Sequence, residues 1–324
     1  MARFLAARVI QSAAIVFLVA SLTFVLLKLA PGDPIRAGQE AAIVPREVRD
    51  QLRRNFGLDR PIHVQYVRYV ANLARGDFGY SFAEHRPAAR AIGDRIPNTL
   101  ALGAAALAVT FLCGIAIGAL QGMRSASRTD YALSVATLTL YSVPVFWLGV
   151  MLLAIFGEAL QWLPVGGAVD PVAYPHLSLA GRLWDRATHL VLPALTLGLV
   201  GAAGTARYQR AALLEVIGQD FVRTARAKGL AERVVLLRHA LRNALLPTIT
   251  LFGLSVPIIL SGTVLVETVF AWPGLGKLAV DSIGRRDYAV VTGAAIIASA
   301  MVVLGNLLAD LLYRLADPRT RGEA

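Results

Sequence analysis

Residues 98–122 read NTLALGAAALAVTFLCGIAIGALQG, a stretch without a single Asp, Glu, Lys or Arg. A helix needs about 20 mostly apolar residues to cross the hydrocarbon of a bilayer. This run meets that need and is longer than a buried strand or core helix requires, so it predicts a membrane span. Within it, Gly114 and Gly118 stand at the small-xxx-small spacing that lets two helix backbones approach closely. Cys113, the single cysteine of the chain, lies inside the same apolar run, so neither an intrachain disulfide nor a cysteine-based metal site can form.

Working outward, similar runs occur at about 9–29, 131–157, 189–206, 247–269 and 289–313. The whole chain of 324 residues is 56% hydrophobic and 16% charged, with mean hydropathy +0.59. Soluble domains average about 45–50% apolar and about 25% charged. The expected fold class is all-α, a polytopic membrane protein with six transmembrane helices. The expected organisation is a first span within 1–30, an extracytoplasmic helical segment over 31–97, a transmembrane core over 98–313 and a tail over 314–324. Arg3 and Arg8 precede a first run longer than the about 7–15 residues of a signal sequence, so the reading is a retained span.

Charge sets the orientation. The net charge of +11 comes from arginines lying between apolar runs, which fits membrane flanks and gives no nucleic-acid surface. With the N-terminus inside, the inner segments carry fifteen basic residues and the short outer loops only Arg182, Arg186, Lys277, Arg285 and Arg286. Both termini are therefore expected in the cytoplasm. The 31–97 segment, with 11 Arg and 8 acids, is long enough to translocate regardless of its charge. Pro45 to Arg54 reads as a helix start, and Ile62, Tyr66, Tyr69, Val70 and Leu73 fall at helical spacing. A small cap on the outer membrane face and a solvated connector with one amphipathic helix both fit that pattern.

The chain shows no engine of its own. A P-loop needs G-x-x-x-x-G-K-[ST] so that backbone amides can cradle phosphate and a hydroxyl can hold Mg²⁺. The nearest string, Gly274-Leu275-Gly276-Lys277-Leu278, has the wrong spacing and the wrong last residue. Five histidines, His63, His85, His176, His189 and His239, are scattered over different segments, and no hydrolase or dinucleotide pattern appears. Ionisable residues inside spans are functional candidates because lipid makes them costly. The acids among them are Glu267 and Asp310, each near a span end where water is expected to reach; Asp310 can pair with Asn306. Without an acid at a midspan position, a proton- or sodium-coupled carrier is disfavoured. Pro144 and Pro257 lie inside spans and free a carbonyl each. Kinks lining a path and plain packing bends are both open for them.

Between the fourth and fifth runs lie residues 207–246, too many for a turn. Asp220 is expected as an N-cap and Gly229 as the stop of a short helix carrying Phe221, Val222, Arg223, Ala225, Arg226 and Lys228. A second helix over about 231–246 places Val234, Leu237, Leu241 and Leu245 on one stripe, with Arg238 and Arg242 on another side. Lipid headgroups would explain the basic charge alone. Two helices joined at a glycine suggest instead a rigid knob that docks on a partner.

These residues carry a resemblance. Ala225-x-x-x-Gly229 followed by HALRNALLP at 239–247 resembles the cytoplasmic signature of ABC-importer permeases. The general signature reads E-A-A-x-x-x-G-x₉-I-x-L-P; this chain has Arg223 and Thr224 at the first two positions and His239-Ala240-Leu241-Arg242 at the last four. Those departures match the dipeptide/oligopeptide/nickel group. The likeness extends through Pro31-Gly32-Asp33-Pro34, Gly57-Leu58-Asp59-Arg60-Pro61, Gly76-Asp77-Phe78-Gly79, Arg95-Ile96-Pro97-Asn98-Thr99 and Trp272-Pro273-Gly274-Leu275-Gly276 to Asp317-Pro318-Arg319. The first of these strings and the long outer segment look like the B-type subunit.

The resemblance implies a type I ABC importer permease fold in a bacterial inner membrane. It implies a second, C-type permease, two cytoplasmic ATP-binding subunits and an extracytoplasmic solute-binding protein as partners, besides membrane lipid. ATP and Mg²⁺ would be used by the partner ATPases, with no cofactor on this chain. The ATPase-coupling residues would be Asp220, Phe221, Arg223, Thr224, Ala225, Arg226, Lys228, Gly229, His239 and Arg242, and translocation-path candidates are Pro144, Pro257 and Glu267. Di- or oligopeptides are the expected cargo; nickel complexes, glutathione or oligosaccharides use similar permeases. A secondary carrier or channel would need a midspan ion site or polar pore ring, and a membrane enzyme would need a catalytic constellation.

Overall fold

The computed structural model describes residues 2–29, 60–81 and 83–316. The expected helix start at Pro45, the strings at 31–34 and 57–59, and Asp317-Pro318-Arg319 fall outside the described residues. So do the side chains of Pro257 and Asp310. The chain divides into two compact units, one of residues 1–99 with 273–303 and one of 100–272 with 304–324.

The first unit holds α1 (Ala2–Leu29) and α2 (Ile62–Ala74). The expected stripe on α2 docks on α1 through its two tyrosines. Tyr66 shares a 2.7 Å hydrogen bond with the Ser21 hydroxyl, and Tyr69 donates to the Ala20 carbonyl at 3.1 Å. The Phe24 ring packs on both, at 5.3 and 5.2 Å between centroids. Burial, reinforced by Tyr66, pushes the Tyr69 phenol up to about 12.

A short antiparallel hairpin follows, β1 (Tyr80–Ser81) paired with β2 (Arg86–Pro87), a small exception to the all-α expectation. It is stitched to the start of α14 (Tyr288–Ala316), because Asp287 accepts from the Ser81 hydroxyl at 2.5 Å and from the Ala83 amide at 3.2 Å. α3 (Ala88–Gly93) and α13 (Leu275–Gly284) complete this unit. Ala88 and Ile92 of one pack with Leu275 and Leu278 of the other, and with Val290 and Ala294.

In the second unit, α4 (Ile96–Met123) runs against α7 (Leu179–Ile217), the longest helix. The glycine spacing read from the sequence marks their contact. A Cβ at Gly114 would sit 2.6 Å from Thr205 Cβ, and one at Gly118 would strike the Ala206 carbonyl. Only hydrogen at those positions lets the backbones come this close.

The expected third span is not one rod. α5 (Arg128–Ser142) and α6 (Val145–Leu152), which continues as a π-helix over Leu153–Ala159, meet at a bend of 104°. Pro144 caps α6 and supplies no N–H to the preceding turn, so the ladder breaks there. This unit also holds a 3-10 turn over Tyr174–His176, α8 (Asp220–Ala227), α9 (Glu232–Val234), a π-helix over Val235–Ala240, α10 (Leu241–Ala244), α11 (Leu246–Gly262) and α12 (Val264–Val269). Among the described residues, four helices are long and apolar enough to cross a membrane, and the bent α5–α6 pair makes a fifth if it counts as one span. The expected fifth run is divided at Thr263 between α11 and α12.

Candidate functional site

α8 begins one residue earlier in its capping pattern than the sequence suggests. Gln219 is the N-cap, without a side-chain cap bond, and Asp220 is the first helical residue. The Asp220 carboxylate accepts from Arg223 at 3.3 Å and still lies where the positive end of the helix dipole favours an acid. The Thr224 hydroxyl donates back to the Asp220 carbonyl at 2.9 Å.

The apolar patch expected on this helix divides into two faces. Val222 and Ala225 are buried and pack with Ala119, Leu213, Val216, Val235, Ala240 and Ala244. Phe221, 40% exposed, points away from that core. Arg223, Thr224 and Lys228 are exposed with it. Ala225 therefore anchors the helix and does not belong to its free surface.

Gly229 ends α8 with φ +75, and its amide bonds the Arg226 carbonyl at 2.9 Å. Across that turn the Arg226 guanidinium holds the Glu232 carboxylate through two contacts, at 3.1 and 2.8 Å. That bond to Arg226 keeps the Glu232 carboxyl below the usual carboxylate range. From the sequence alone Arg226 belongs to the docking surface and Glu232 carries no assigned role. The available signal was an acid placed just beyond the glycine, within reach of a base just before it.

The second loop helix buries a different stripe from the expected one. Val235, Ala240 and Ala244 are buried, while Val234 and Leu237 are exposed. The π-helical turn over Val235–Ala240 sets the buried Val235 and Ala240 five positions apart, so the side chains after it leave a 3.6-residue register. His239 is half-buried, its carbonyl bonded by the Asn243 amide at 2.8 Å, and Arg242 is exposed.

A second polar joint lies nearby. Arg210 of α7 grips Asp130 of α5 with two bonds of 2.8 Å, and Asp130 also accepts from the Ala126 amide at 3.1 Å. The α4–α5 turn is thereby fastened to α7. A pairing of residues 80 positions apart had no local signature.

Of the three translocation-path candidates, the structure describes the side-chain surroundings of Pro144 and Glu267. Pro144 lines an open groove with Leu138, Thr139, Ser142, Val143 and Trp147. Pro257 belongs to α11 by its backbone. Glu267 was expected to meet water at a span end, yet it is fully buried. The chain after α12 turns sharply through Ala271, at φ +48, and Trp272 donates its amide to the Glu267 carbonyl at 2.8 Å. Trp272 is likewise buried, packed with Val266 and Phe270.

Comparison with known proteins matches residues 114–322 to the family described as binding-protein-dependent transport system inner membrane component, and residues 1–103 to the N-terminal region of such components. The oligopeptide transport system permease protein AppB of Bacillus subtilis is 40% identical, over 98% of this chain and 99% of its own length. The di/tripeptide transport system permease protein DppB of Pseudomonas aeruginosa is 39% identical, over 94% of each chain. The glutathione transport system permease protein GsiC of Salmonella paratyphi A is also 39% identical, over 94% of each. Among solved structures, an inward-facing MetNI methionine ABC transporter chain superposes with a TM-score of 0.55 at 18% identity, over 70% of this chain and 96% of that one. That likeness is one of fold.

Proposed function

The chain belongs to the family of binding-protein-dependent transport system inner membrane components, and from that premise we propose that it is the B-type permease subunit of an ATP-driven importer of di- and oligopeptides. The observation that carries the mechanism is the division of α8 into two faces. Val222 and Ala225 fix the helix to the protein core, and Phe221, Arg223, Thr224 and Lys228 are left outward on a helix that ends at Gly229. A short helix anchored on one side and free on the other passes on a push from a partner without deforming.

The partner best suited to such a surface is a cytoplasmic ATP-binding subunit. The complete assembly would hold two of these, a C-type permease and an extracytoplasmic binding protein, with ATP and Mg²⁺ bound by the ATPases. Six spans and cytoplasmic termini complete this reading, with α11 and α12 sharing the fifth crossing. Peptide cargo is supported by the names of near-full-length relatives, and a glutathione permease of equal identity keeps a γ-linked tripeptide within the cargo class.

Reconstitution of the assembled complex in proteoliposomes tests the proposal. ATP enclosed with the ATPase side and binding protein on the other should drive uptake of labelled dipeptide, and omission of either should abolish it. Uptake by this chain alone under an ion gradient without ATP would sink the reading in favour of a secondary carrier.

A further inference from the structure

Gln209 of α7 has no exposed surface, and the docking face makes no use of it. Its Nε2 donates to the Ala244 carbonyl at 3.2 Å, and its Oε1 accepts from the Thr248 hydroxyl at 2.7 Å. Thr248 is itself only 2% exposed. The two partners bracket the point where the cytoplasmic loop becomes α11. Leu245 separates α10 from α11 there, and Pro247 follows at the start of the new helix without an N–H to give. The carbonyl beside this break takes its hydrogen bond from Gln209, a residue 35 positions earlier.

Gln209 is itself held by a packed wall. A Cβ added at Gly118 of α4 would lie 2.8 Å from Gln209 Cβ, and one at Gly122 would lie 2.8 Å from Leu213. Helices in contact at that range have no room to slide, because interiors this dense transmit displacement. The outgoing end of the loop is the continuation of α7, and the returning end is pinned to α7 by Gln209. The base of the loop is closed.

We propose that Gln209 is a positioning residue that stiffens this base, so that displacement of α8 reaches α11 and the α4–α7 pair and is not absorbed by bending at Leu245–Pro247. The inference rests on the reading of α8 as the ATPase contact. Bending at the turn would pull Ala244 and Thr248 off Gln209 and leave buried polar groups unpaired, which is the costly side of hydrogen bonding. The intact node therefore resists the bend, and a chain without it gives way there.

The test measures cargo delivered per ATP hydrolysed by the reconstituted complex, for Gln209→Leu, Thr248→Val, both together, and Thr248→Ser. Gln209→Leu and Thr248→Val should lower the ratio at least about threefold with ATP turnover within about twofold of the unaltered complex. The double variant should be little worse than Gln209→Leu alone, since both remove one node. Thr248→Ser, which keeps the hydroxyl, should restore the ratio. Thr248→Val keeps the branched shape of the side chain and removes its hydroxyl, so it carries the test even if Gln209→Leu fails to assemble. An unchanged ratio in Thr248→Val, or uptake and hydrolysis falling in proportion, overturns the inference. An unaltered complex that takes up no peptide with ATP overturns instead the transport reading on which it rests.

Discussion

Gly229 concentrates the docking argument in one backbone angle. At φ +75 an L residue with a Cβ pays a penalty of about 1–2 kcal/mol, and a β-branched one more. Nothing stands within 4 Å of the place a Cβ would take, so the penalty is conformational and not steric. Since about 1.4 kcal/mol is tenfold in a population, Gly229→Val should cut ATP-driven uptake at least about tenfold while the chain reaches the membrane at its usual level. Gly229→Asn should keep most of the activity, because Asn tolerates the left-handed region. Uptake assayed beside immunoblots of the membrane fraction decides this, and normal transport by Gly229→Val would remove the helix break from the mechanism. This glycine was legible in the sequence because one residue type at a helix end announces its own geometry. Asp220 was not legible to the same precision. A cap and a first-turn acid are chemically alike from sequence, and only the φ and ψ of Gln219 separate them.

The paired helices of the loop show what element-level reading captures and what it loses. Their existence followed from spacing and a stop signal, but the buried stripe shifted because a π-helical turn has no signature in apolar periodicity. The ion pair across Gly229 was lost for another reason. Arg226 looks like one more docking arginine until Glu232 is seen to occupy it. The pair then serves as a strut that fixes the angle between α8 and the segment after it. Reversing Arg226 alone to Glu should place two acids together and weaken co-purification with the ATP-binding subunit. Combining Arg226→Glu with Glu232→Arg should recover it. If Arg226 touched the partner directly, the swap would leave co-purification as poor as the single change. The pH dependence has a definite sign. The Glu232 carboxyl is lowered in the folded chain, so the strut's contribution is complete above the ordinary carboxylate range and is lost as pH falls through the lowered value. Near neutral pH the strut is therefore insensitive to acid, and because it is exposed, added salt weakens it first.

For the whole molecule, uninterrupted apolar runs made the helical membrane architecture readable, whereas contacts between distant segments stayed hidden. Asp287 anchors the hairpin through Ser81, 206 positions away, and Glu267 is enclosed by a turn whose shape depends on Ala271 and Trp272. The 104° bend at Pro144 shows the same limit, since a proline marks a break but not its angle. Orientation rests on charge alone, and it is the premise that puts α8 on the side of the ATPases. It can be tested directly because the chain has one native cysteine. In a Cys113→Ala background, Gln219→Cys, at an exposed position before α8, should react with a membrane-impermeant maleimide only when the cytoplasmic face is open to it. Val172→Cys, exposed in the segment before α7, should react only from the opposite face. Labelling of both positions from one face would place an even number of crossings between the docking helix and that loop where an odd number is required. Labelling of Gln219→Cys from the outer face would detach Phe221, Arg223 and Lys228 from any cytoplasmic partner, however well their helix is shaped for one.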